Sequence, residues 1–157
     1  MSETVADLLP TAKQAMEMLA LAEAEKARDA LRQKEKAEAE KKALLDRLSK
    51  PSGISDEDAC QRAAVIIQRA IKNGLIEVEV LRFPNELCTD RGRAINNSME
   101  PGWQNTLTGL PREMYDFWDR HLRPLGYRIR VQVVDFSGDK PGDIGVSLKW
   151  GSASQAH

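Results

Sequence analysis

Side chains able to do chemistry crowd most densely into residues 85–97, where Asn85, Glu86, Cys88, Thr89, Asp90, Arg91, Arg93, Asn96 and Asn97 fall within one short stretch. Thr89 or Asp90 can cap a short helix whose free amide groups, with Arg91 and Arg93 beside them, suit a phosphate or a carboxylate. Arg82 precedes this stretch and Asp135 lies further along, both on the core parity of predicted strands and at the same end of the predicted sheet. Arg82, Asp90, Arg91, Arg93, Asn96 and Asp135 are therefore the candidate ligand-binding set, and an anionic small molecule is the ligand class they fit. The competing reading is an irregular connector whose arginines pair with Asp90, Glu86 or Asp135. Neither a Gly-x-Gly-x-x-Gly run nor a Walker-type Gly-Lys-Ser/Thr occurs, so nothing fingerprints a nucleotide.

Nucleophilic and metal chemistry have less to work with. Cys88 with His121 is the one thiol and imidazole combination that could generate a thiolate, and no spacing brings the two together. Cys60 falls on an apolar helical stretch and reads as a core thiol. Neither cysteine belongs to a Cys-x-x-Cys or Cys/His cluster, so no metal site, cofactor or catalytic residue is assigned. Two unclustered thiols, no leader-like apolar stretch near the start and no run of about 20 apolar residues lead to the expectation of a cytoplasmic chain without a membrane partner.

The elements that must position these groups follow from periodicity. Ser55 with Asp56, Glu57 and Asp58 opens a helix that Asn73 and Gly74 end, and Ala59, Ala63, Ile66, Ile67, Ala70 and Ile71 recur along it at helical spacing. Residues 75–83 alternate as a strand, with Val78 and Val80 on one face and Glu77 and Glu79 on the other. Pro111 starts a further helix that reaches Leu122, and residues 127–136 and 144–150 read as two more strands. Arg128 and Arg130 share the face of Glu77 and Glu79, which suggests that the first two strands are neighbours. A helical connection between them would make that pair parallel, with the third strand folded back antiparallel. The expected fold class is α+β: a long N-terminal helix, then a small three-stranded mixed sheet in α-β-α-β-β order with two helices packed on one face. Leu81, Phe83, Val134 and Phe136 would leave an apolar edge on the other face, at the carboxyl end of the sheet. That edge either forms the site of a small-molecule or anion-binding domain, enzymatic or not, or is covered by residues 84–110 folding back through Leu87, Ile95, Trp103 and Leu107.

The front third of the chain has another character. From Thr11 to Ser49 neither Gly nor Pro occurs, Thr11 and Gln14 have the form of a capping box, and oppositely charged residues such as Lys34, Glu38 and Lys42 sit one turn apart. Leu8, Ala12, Met16 and Leu19 begin an apolar stripe, Leu44, Leu45 and Leu48 end it, and the middle is polar. The seam therefore makes a poor continuous coiled coil and fits equally a solvated helix whose leucine-bearing ends dock on the domain or on a neighbour. The expected organisation is a helical arm at 1–50, a linker at 51–54, a globular domain at 55–150 and a small-residue tail at 151–157. Residues 1–50 carry ten basic and ten acidic side chains, leaving thirteen and fourteen for the rest. That balance argues against nucleic acid as a partner. The function that fits is a non-enzymatic interaction or assembly protein, binding itself or a protein partner through residues 8–48.

Overall fold

The computed structural model describes residues 5–151. After a single 3₁₀ turn at Val5–Leu8, helix α1 runs unbroken over Ala12–Leu48, 37 residues or about 55 Å at 1.5 Å per residue. Its start is fixed as the sequence predicts. The Gln14 amide donates to the Thr11 hydroxyl at 3.0 Å, and the Thr11 amide donates to the Gln14 side-chain oxygen at 2.9 Å. No side chain in residues 5–43 is buried.

The chain divides into two compact units, Met1–Ala43 and Leu44–His157. The second unit starts inside α1, because Leu48 is buried and Leu44 and Leu45 pack on the same core. Gly109 makes this close fit possible. It holds φ +61°, and a Cβ there would lie 2.4 Å from the Leu48 carbonyl oxygen.

Helix α2 spans Asp56–Lys72 and is capped by the Ser55 hydroxyl, which accepts from the Asp58 amide at 3.1 Å. Strand β1, Glu77–Pro84, follows, and then a connector carrying the one-turn helix α3 at Arg93–Asn96. Helix α4 spans Gly109–Phe117 and continues as a π-helical turn through Trp118–Leu122. Strand β2 covers Arg128–Val133, the short strands β3, Phe136–Ser137, and β4, Lys140–Pro141, form a two-stranded ribbon, and β5 covers Asp143–Lys149.

The architecture is α+β, with α2 and α4 on one face of a three-stranded sheet, but the sheet is not mixed. Its order is β1-β5-β2 and both pairings are antiparallel. The physical reason lies in β5. Ile144, Val146 and Leu148 are its inward residues and are almost wholly buried, whereas Gly145 and Ser147 face outward and are small. A strand apolar inside and small outside suits the centre of a sheet. The ribbon of β3 and β4 lays it antiparallel against β2, and its free edge then accepts β1. The charge match between Glu77 and Arg130 is present without adjacency, because Arg130 reaches Glu77 at 3.4 Å with Ser147 of the intervening strand beside it in the register.

A second correction concerns parity. The β1 register with β5 shifts between Glu79 and Leu81, so Val80 is an extra, bulged residue. Val78 pairs with Leu148, Leu81 with Val146 and Phe83 with Ile144, so Leu81 and Phe83 belong to the covered face. Arg82 is turned to the open face instead of the core. The core has two lobes. One joins Phe83, Val131, Ile144 and Val146 to Leu87, Ile95, Trp103 and Leu107 of the connector, so the connector does fold back over the sheet, but on the face that also carries the helices and not on the opposite one, and Phe136 stays half exposed. The other joins Leu148 to Ala63 and Ile67 of α2 and to Phe117, Trp118 and Leu122. Of the expected tail, only Gly151 lies within the described residues.

Candidate functional site

Of the six residues singled out in the sequence, four lie together on the connector around α3 and two, Arg82 and Asp135, lie elsewhere. Arg82 donates from Nε to the Asp143 carboxylate at 3.1 Å on the open face of the sheet, with both side chains about half exposed. Asp90 accepts from the amides of Gly92 and Ala94, both at 2.9 Å, so its own carboxylate fills the donor cradle at the start of α3 that an external anion would need. Arg93 pairs with Glu100 at 3.3 Å. Arg91 is exposed at φ +57°, and Asn96 is exposed at the margin of a shallow hollow with Met99, Arg130 and Gln132. Asp135 is exposed rather than on core parity, because β2 ends at Val133; its carbonyl accepts from the Gly142 amide at 2.7 Å. The connector thus gathers Asp90, Arg91, Arg93 and Asn96 around α3, whereas Arg82 and Asp135 lie with other partners.

The thiol and imidazole are likewise apart. Cys88 is buried in the lobe with Phe83 and Leu107. Burial pushes its thiol up to about 11, with the Asp90 charge adding to the shift and a Thr106 hydrogen bond opposing it. A thiol so placed is protonated at neutral pH and is a poor nucleophile. His121 is engaged elsewhere, its Nε2 lying 2.8 Å from the Asp56 carboxylate. Among the described residues no group of three or more His, Cys, Asp or Glu side chains is arranged to hold a metal ion.

The best-formed concavity is a half-open cleft of about 270 Å³ between α2, α4 and the sheet. Its walls are Ala59, Ala63 and Ile66 of α2 and Leu110, Met114 and Phe117 of α4, over a floor of Val80, Leu81 and Leu148. Two local features open it. Alanines at positions 59 and 63, one turn apart, leave room where larger side chains would meet α4, and the bulge brings both Val80 and Leu81 to the floor. No family model, curated protein or solved structure matches this chain. The cleft is therefore read from its own chemistry.

That chemistry is an apolar interior with a polar rim whose acids are already engaged. The Asp56 carboxylate accepts from Arg120 at 3.2 Å and meets His121, and the His121 hydrogen bond, with Arg120 helping, holds its carboxyl below the ordinary value of 3.8. The Glu113 carboxylate accepts from the Ser52 hydroxyl at 2.7 Å and the Ser52 amide at 3.0 Å, which ties the segment before α2 to the rim. Arg62 has no partner among the described residues and lines the same rim. Sequence reasoning missed this cleft. Its only signal was the Ala59, Ala63 and Ile66 series, which reads equally well as an ordinary packed helix face.

Proposed function

We propose that the protein is a non-enzymatic interaction or assembly module that associates, with itself or with a protein partner, through the apolar positions of residues 8–48. The supporting observation is the state of the segment from the first 3₁₀ turn through the early turns of α1. Leu8, Leu9, Met16, Met18, Leu19 and Leu21 are all exposed by half or more, on a segment with no packed core of its own. Scattered exposed apolar residues are ordinary, but so many within fourteen residues, with Met16 and Leu19 on one side of α1, support reading this segment as an interaction surface. A helix that is stable through capping and one-turn charge pairs can display such a surface without domain packing beneath it.

The exposed run also indicates how association would work. Met16 and Leu19 lie one turn apart with Ala12 and Ala15 on the same side, and methionine and leucine are the adaptable side chains that fill grooves when an amphipathic helix docks. Light scattering of the full chain with concentration tests the reading. The wild type should gain mass as concentration rises or with its partner, and Met16→Glu with Leu19→Glu should remain monomeric while the circular dichroism spectrum stays the same. A monomeric wild type that also captures no partner through this segment would end the proposal.

A further inference from the structure

The cleft and the arm carry complementary features, and the inference drawn from them rests on the assembly reading above. Inside, the cleft is walled by aliphatic side chains and Phe117; at its rim Asp56 and Glu113 are spent on Arg120, His121 and Ser52. The rim cation left over is Arg62. On α1, Met16, Leu19 and Glu23 follow one another at intervals of three and four, which places them in line on a single helix face. Met16 is 65% and Leu19 50% exposed, and Glu23 has no partner among the described residues. Two adjacent aliphatic side chains followed by an unpaired acid match an apolar cleft with an unpaired arginine at its edge.

We infer that this cleft receives the Met16 and Leu19 face of α1 from a second copy of the chain, with Glu23 of the incoming helix meeting Arg62. The aliphatic pair enters between α2 and α4, where Ala59 and Ala63 leave space, and contributes most of the contact through burial. The charge pair at the rim sets the direction in which the helix lies and disfavours incoming segments without an acid at that position. Because each copy has both a donating helix and a receiving cleft, the contact is heterologous: it closes a ring where the rotation permits and otherwise extends into a chain.

Charge reversal in the full-length protein tests this. Arg62→Glu and Glu23→Arg should each weaken self-association about fivefold, in line with a rim ion pair turned repulsive, and the double variant, or an equimolar mixture of the two single variants, should recover to within about twofold of wild type. Ala63→Phe, which fills the cleft, should weaken association further, and the surface change at Arg62 serves as the readout should that core change impair folding. If the charge variants leave association unchanged while Met16→Glu with Leu19→Glu abolishes it, helices pair with each other and the cleft assignment is wrong, although the assembly reading survives. A wild-type chain that stays monomeric overturns self-docking altogether, and capture of a different protein by the arm in that case would retain only the general interaction reading.

Discussion

At the scale of single residues, the two cysteines should behave differently, and alkylation can show it. Cys60 is partly exposed on α2, whereas Cys88 is buried with its thiol raised to about 11. Native protein treated with iodoacetamide at pH 8 should be labelled at Cys60 and spared at Cys88, and both should react after denaturation; mass spectrometry reads the outcome. The same shift has a sign for stability. A thiol held protonated in the fold favours the native state fully below its ordinary value of 9.0, and that advantage is lost as pH rises through about 11. Asp56 works in the opposite sense: its lowered carboxyl favours the fold above the ordinary value of 3.8 and ceases to do so as pH falls below it. Gly109 is the residue least open to change. An alanine there would combine positive φ with a 2.4 Å approach to the Leu48 carbonyl, so Gly109→Ala should cost about 2 to 4 kcal/mol and lower the melting temperature. Part of this was legible in the sequence: the fold-back of the connector was, but Gly109 has no local turn signature and the burial of Cys88 depends on which face of the sheet the connector covers.

Among the elements, legibility followed locality. The capping box at Thr11, the Ser55 cap, the Asn73 and Gly74 stop and the alternating strands all express contacts within a few residues, and all appear in the structure. Strand order did not follow, because it depends on which distant strand takes the free edge of β5. The matched charges of Glu77 and Arg130 indicated the shared face but not the intervening strand. Parity failed where β1 gains an extra residue, which moved Arg82, and again where β2 stops at Val133, which left Asp135 exposed. The end of α1 belongs to the globular unit through Leu48, so the unit boundary lies before Pro51, as docking of the leucine-bearing end on the domain allowed. Leu48→Ala should therefore destabilise that unit by about 2 to 5 kcal/mol, while Leu19→Ala should leave its denaturant midpoint unchanged. A chain shortened to begin at Ser52 should unfold at lower denaturant than one beginning at Lys42.

At the scale of the whole molecule, the charge balance and the long helix limit the partner more than any residue cluster does. Acids and bases are nearly equal in number in both parts of the chain, and among the described residues no helix is long and apolar enough to cross a membrane. What remains unspent is apolar: the exposed run from Leu8 to Leu21 and a cleft lined by aliphatic side chains. The first was legible as a stripe of sequence. The second required tertiary structure, since it exists only where α2, α4 and the bulged strand meet. The most direct measurement is the weight-average mass of the full chain by light scattering across concentration, for wild type and for Met16→Glu with Leu19→Glu. The account predicts a mass that rises with concentration for wild type and stays at 17.5 kDa for the variant; equal association of the two proteins would contradict it.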